Sequence, residues 1–219
     1  LKNYKKDTDN SYSVYPAENL YVSEPQIMRD VVLNQIGITP YKYYPEENKL
    51  EVYKSIKINI KESGDSNLEY FLPAKRSRVF EELYATSIIN YDHSTRSEDY
   101  QTSSILYICG GAACTNSYFE DLVDWRHKQG YEVNVVSTSE SGSGENSINN
   151  YISNVYYLWD NPPEIVGLVG DVGGSYNIAC DYYEWGTGWN TYSGASDVRY
   201  TYIEGNDLTP EVIIGRISA

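Results

Sequence analysis

The chain has 219 residues, with 17 Lys and Arg against 31 Asp and Glu, so its formal charge is -14. That length fits one large domain or two modest cores. An acid excess with no basic run excludes nucleic acid and anionic membrane as natural partners. Tyrosine stands at 24 against 3 Phe and a single Met, which predicts many half-buried strands whose rings are covered while their hydroxyls stay wet. No apolar run is long enough to span a bilayer, and no signal peptide is legible, although a start at Leu1 suggests that an upstream piece has been removed.

Residues 1 to about 20 are polar and rich in Tyr, Asn and Lys, with weak structural signals. From 19 to 60 the pattern is β. Residues 30–38 read as one strand, and 49–53 and 55–61 alternate apolar and polar with period two. Tyr44-Pro45-Glu46-Glu47-Asn48 between them is a turn. This part predicts an antiparallel sheet or sandwich. Residues 80–90 read as a short helix, and the charged stretch 92–101 as a linker. Beyond it the period changes. Ile105-Leu106-Tyr107-Ile108-Cys109 reads as a buried strand, and 118–129 as an amphipathic helix capped by Thr115 or Asn116 and ended by Gly130. A strand over 131–136, a loop over 139–144, a helix over 146–159 and a strand over 165–169 follow. Strand-helix alternation predicts a parallel sheet with right-handed crossovers. Residues 172–202 read as a long irregular segment, which in a compact domain is usually functional or disordered. The strand 212–214 closes the chain.

Sites in open α/β sheets gather beyond the carboxyl ends of strands, and Asp171 follows Gly170 at such an end. Asp207 and Glu211 lie in the turn before the last strand. A calcium site mixes carboxylates with turn carbonyls. Asp171, Asp207 and Glu211 can supply the charges, with the carbonyls of Glu204 and Thr209, although by spacing alone these acids equally read as solvated turn and cap residues. A glycosidase-like pair of Asp171 and Asp197, with Trp159, Trp185 and Trp189 stacking on sugar, is a weaker reading, because nothing in the sequence fixes the carboxylate separation. His93, with Asp92 and Ser94 as sequence neighbours, and His127 read as exposed residues, since a Ser-His-Asp set needs three separately positioned groups. Of the three cysteines, Cys109 reads as a small core residue. A bridge between Cys114 and Cys180 stays open, since sequence does not give their distance.

Several ordered segments resemble the gingipain-like family of secreted cysteine peptidases. Val22-Ser23-Glu24-Pro25, Met28-Arg29-Asp30 and Pro40-Tyr41-Lys42-Tyr43-Tyr44-Pro45, followed by Leu50-Glu51-Val52-Tyr53, resemble the end of the family's prodomain. The segment from Asp121 to Gly130 is similar to the first helix of its catalytic domain, and Val169-Gly170-Asp171 with the stretch from Ile203 to Arg216 completes the match. The resemblance implies an α+β two-part chain. Residues 1–98 would form a β-rich, sandwich-like prodomain with its linker, and residues 99–219 the N-terminal half of a caspase-like α/β peptidase domain with a mainly parallel sheet.

The resemblance further implies a calcium site built from the side chains of Asp171, Asp207 and Glu211 and the carbonyls of Glu204 and Thr209. It implies activation cleavage near Arg96-Ser97, with Arg96 exposed. The family's catalytic histidine, in a Gly-His-Gly motif, and its cysteine both follow the segment matching Ile214-Gly215-Arg216. No residue here matches them, so the chain alone is expected to be inactive. Its expected partner is the C-terminal half of the same peptidase, and its substrates are proteins or peptides. A secreted or cell-surface bacterial setting is expected. A non-catalytic surface or secretion-associated binding module, and a cell-surface transpeptidase, are the alternatives.

Overall fold

The computed structural model describes residues 13–61, 70–96, 98–185, 192–205 and 207–218. Two compact units form, Leu1–Pro25 with Asn34–Leu68, and Gln26–Leu33 with Glu69–Ala219. The N-terminal part holds six short strands: β1 (Leu20–Val22), β2 (Gln26–Met28), β3 (Val31–Leu33), β4 (Ile36–Ile38), β5 (Tyr41–Tyr44) and β6 (Lys49–Val52).

The first unit contains β1 paired with β4, and the hairpin β5–β6, all antiparallel. The predicted turn closes that hairpin, with Tyr44 opposite Lys49. Asn48 takes a left-handed φ of 47°, which asparagine accepts more readily than most residues. The expected single strand over 30–38 is broken. Ser23 takes the Asn34 side-chain amide on its carbonyl (2.9 Å) and the Gln35 N–H on its hydroxyl (2.8 Å). The chain is thereby turned out of one ladder, and β3 pairs with β2 while β4 pairs with β1. Residues 55–61 join no strand among the described residues, so their alternating isoleucines lack the neighbour that a period-two pattern anticipates.

In the second unit, α1 (Arg78–Ser87) starts where the Ser77 hydroxyl accepts the Phe80 N–H, one of the donors a helix leaves unsatisfied at its start. Then come β7 (Ser104–Cys109), α2 (Ser117–Lys128), β8 (Glu132–Ser137), the single turn α3 (Thr138–Ser141), α4 (Glu145–Leu158), β9 (Ile165–Val169), β10 (Asp181–Trp185), β11 (Tyr192–Ser196) and β12 (Ile213–Ile217). Four strands make a wholly parallel sheet in the order β12-β9-β7-β8. Every residue of β7 is buried, as a central parallel strand covered on both faces must be. Successive side chains of a strand face opposite ways. Leu106 and Ile108 therefore join Ile148, Ile152, Val155 and Tyr156 of α4 on one face, while Ile105, Tyr107 and Cys109 meet Phe119 of α2 on the other. The segment expected to be irregular contains instead the antiparallel hairpin β10–β11.

Candidate functional site

Parallel strands give the sheet two chemically distinct edges. At the carboxyl edge, β7 runs into Gly110 and β9 into Gly170, and a Cβ on either would strike the Tyr176 carbonyl. Glycine is required there for the loop 174–176 to sit on the strand ends. Asp171 is exposed, and its backbone alone is engaged: its N–H donates to Tyr176 (3.2 Å), and its carbonyl accepts from Ile178 (2.8 Å). Asp197 is committed elsewhere. It accepts from Arg216 Nε (2.9 Å) and Nη2 (2.6 Å), while the same guanidinium caps the carbonyls of Gly170, Ile178 and Ala179. A paired acid/base role for Asp171 and Asp197 is thereby overturned, because one of the two is neutralised in a bidentate ion pair. An arginine inside the apolar run Ile213-Ile214-Gly215-Arg216-Ile217 was the sequence signal for such a partner.

The cysteines also differ from expectation. Cys109 is not a free core thiol but is bridged to Cys114 across a Cα–Cα distance of 5.5 Å, and Cys180 is free and buried. His93 Nε2 lies 3.0 Å from the Tyr100 hydroxyl on the surface, and His127 is exposed on α2. Among the described residues, the recorded side-chain partner of His93 is thus a phenol and that of Cys114 a backbone carbonyl, whereas a nucleophile–base pair needs the two within hydrogen-bond reach of each other.

At the amino edge, the turn before β12 gathers acids. Asp207 accepts the Ile27 N–H (2.8 Å) on one oxygen and the Thr209 N–H (2.8 Å) and hydroxyl on the other. Glu211 is fully buried. Its Oε2 accepts from the amides of Ile203 (2.7 Å) and Glu204 (3.2 Å), whereas Oε1 has no partner. Burial pushes this carboxyl up to about 8, the two amides pull it down, and the charges of Asp207 and Glu204 push it further up. The Glu204 side chain accepts the Tyr157 hydroxyl (2.6 Å). Burial, together with this carboxylate, holds that phenol well above its ordinary range.

The expected five-residue calcium set is not assembled at one place. β12 lies parallel to β9 with Ile213 opposite Ile165 and Ile217 opposite Val169. Asp171 follows β9 and Glu211 precedes β12, so the two lie about eight strand residues apart, roughly 25 Å. Glu204, Asp207, Thr209 and Glu211 do share one turn. Among the described residues, no three side chains of His, Cys, Asp or Glu group as a metal ion would require.

Around the junction, Ser97 lies outside the described residues. Arg96 is not freely exposed as expected: its side chain is 23% accessible and ion-paired to Asp30, which is 5% accessible. It also donates to the Tyr91 hydroxyl (3.0 Å). One residue went unnoticed in the sequence beyond its place in a motif. Arg29 is 0% exposed, and its only sequence signal was a charge set between apolar Ile27-Met28 and Val31-Val32.

A doubly wound parallel sheet with a helix on each face, and a strand-rich segment before it in the sequence, defines an α/β domain preceded by an accessory region. Residues 98–219 match the model of peptidase family C25, and residues 3–98 match that of its propeptide, Propeptide_C25. The chain belongs to this peptidase family and contains the propeptide together with part of the catalytic domain. It is 28% identical to gingipain R2 of Porphyromonas gingivalis over 215 residues, 95% of the chain, and 27% identical to gingipain R1 over 208 residues, 93% of the chain. It spans 27% of the length of the first and 20% of the second. Among solved structures, the Arg-specific cysteine proteinase gingipain R (RgpB) aligns at 26% identity and a TM-score of 0.43, over 56% of this chain and 26% of that one. The complex of the RgpB pro- and mature domains aligns at 27% identity and a TM-score of 0.42, over 52% and 25%.

Proposed function

We propose that the chain is the N-terminal portion of a secreted, gingipain-like cysteine endopeptidase precursor. The catalytic cysteine and histidine are supplied by a part of the peptidase outside these 219 residues. The observation that carries this reading is the pair of adjoining family matches, propeptide over residues 3–98 and peptidase over residues 98–219, in a chain that spans 27% of the length of gingipain R2. Of its thiols, two are joined in a disulfide and the third is buried. The chain's role in catalysis is then to build the parallel sheet whose carboxyl edge walls a substrate cleft for proteins or peptides. No helix among the described residues is long and apolar enough to cross a membrane.

Calcium is proposed at the amino-edge turn, held by Asp207 and Glu211 with the carbonyls of Glu204 and Thr209, and without Asp171. What supports it is the buried, unpartnered Glu211 Oε1 beside two further acids. A hard divalent ion is suited to oxygen donors of this kind, and its part there is to neutralise the turn. Cleavage at Arg96-Ser97 is proposed as the activating step.

The central reading is tested by comparing this chain with a longer precursor, using a casein substrate and a thiol-directed active-site label. The chain of 219 residues is expected to show neither hydrolysis nor labelling, and the processed longer protein to show both. Hydrolysis by the short chain that disappears on Cys180→Ala would overturn the reading.

A further inference from the structure

The hairpin β2–β3 lies within the propeptide match and packs on Phe80 and Tyr84 of α1, yet the hydrogen bonds of the Arg29 side chain and of the Ile27 backbone reach residues of the peptidase match. Its two-residue turn, Arg29-Asp30, holds Arg29 at φ 53°, a left-handed conformation that is uncommon for residues other than glycine. Such a conformation persists only where the surroundings over-determine it, and here the side chain does so. Arg29 Nη1 donates to the carbonyls of Pro163 (3.0 Å) and Glu211 (2.8 Å), and Nη2 to Gln101 Oε1 (2.7 Å) and the Pro162 carbonyl (3.3 Å). All four acceptors are neutral oxygens of the 98–219 region. The guanidinium sits 5.3 Å from the Phe80 ring centre and 5.5 Å from that of Tyr156. Two residues earlier, the Ile27 N–H donates to Asp207 (2.8 Å), and its carbonyl accepts the Thr209 hydroxyl. Two hairpin residues, Ile27 and Arg29, thus concentrate hydrogen bonds, cation–π contacts and full burial on one spot, the pattern by which a few residues dominate an interface.

We propose that this hairpin, anchored by Arg29, is the point at which the propeptide region stays bound to the peptidase region after the chain between them is cut. The receptor is a ring of carbonyls at the amino ends of β9 and β12, on the edge opposite Asp171 and the cleft. Diverging acceptors of this kind suit a planar guanidinium fork, and an ammonium group does not reproduce it. The inference rests on the precursor reading above but not on where natural cleavage falls.

The test inserts a site-specific protease sequence between Ser97 and Glu98 of the full chain and cuts the folded protein. The two pieces of the unsubstituted chain are expected to elute together in gel filtration. Arg29→Lys and Arg29→Ala, checked for folding before cutting by near-ultraviolet circular dichroism, are expected to bind about 30-fold or more weakly, the loss typical of truncating a buried anchor. If either variant fails to fold, hydrogen exchange of the Ile27 amide in the cut, unsubstituted complex decides. Protection matching that of β9 supports the anchor, and exchange at the unprotected rate overturns it. Separation of the unsubstituted pieces, or variants that hold as tightly, would also overturn it. Neither result touches the precursor reading, which the activity of the longer protein tests separately.

Discussion

Glu211 concentrates the electrostatic tension of the molecule. It is buried, one of its oxygens lacks a partner, and it is faced by the carboxylates of Glu204 and Asp207 and by the hydroxyls of Tyr156 and Tyr157. The nearby Arg29 reaches only its backbone carbonyl. Its folded pKa, about 8, stands above the ordinary 4.5. Between those values the folded protein keeps a proton that the unfolded chain releases, so this group's contribution to stability falls as pH rises through the window. The loss is at most about 1.4 kcal/mol per pH unit, or roughly 3–5 °C of melting temperature for a chain of this size. Melting curves from pH 5 to 8 should therefore decline more steeply for the native chain than for Glu211→Gln. Added calcium should flatten the native profile and leave the variant unmoved, since ligand binding to the folded state stabilises by mass action. Parallel profiles with and without the ion would remove calcium from the turn, and parallel profiles of the two proteins would remove the buried charge. Spacing brings Asp207, Thr209 and Glu211 together because one short turn carries all three. Asp171 lies apart from that turn, and the sequence itself carries the reason. An acid after one parallel strand and an acid before the next lie at opposite sheet edges.

The elements that sequence predicts well are those whose burial is dictated by their own composition. β7 and β9 are apolar runs with turn residues at their ends, and α2 begins where the Asn116 side chain accepts the Tyr118 N–H, as its cap position anticipates. Elements decided by distant partners were not legible. The break between β3 and β4 depends on Ser23, which follows β1 and is distant in the chain. The hairpin β10–β11 hides because Asp181-Tyr182-Tyr183-Glu184 offers polar and aromatic residues without an apolar period. The junction shows the same dependence. Asp30, at the tip of the β2–β3 hairpin, holds Arg96 by an ion pair and also accepts the Tyr84 hydroxyl. A protease must draw Arg96 out of this cluster, so cleavage there requires local opening. Asp30→Asn should speed tryptic cutting after Arg96 roughly tenfold, the factor that corresponds to about 1.4 kcal/mol of lost local stability. Mass spectrometry of the fragment beginning at Ser97 reads the rate directly. An unchanged rate would show that the ion pair does not guard the junction.

At the scale of the whole molecule, the apolar material is unevenly shared. All three hydrophobic clusters among the described residues belong to the second unit. In the first unit, Leu20 is 49% exposed, Leu50 59% and Val52 61%. Two-stranded ribbons are marginal in water unless a further strand or a helix covers a face, and burial of apolar surface is the dominant favourable term in folding. The two units should therefore differ in local stability even though they share one chain. In native-state hydrogen exchange of the 219-residue protein, the amides of β1, β4, β5 and β6 should open with free energies well below those of β7 and β9. Their opening should respond weakly to denaturant, as local fluctuations do, whereas the parallel sheet should exchange only through global unfolding. Equal protection in both sets would mean that the first unit draws stability from contacts its exposed strands do not reveal. The uneven distribution of the core would then be no guide to how the chain comes apart.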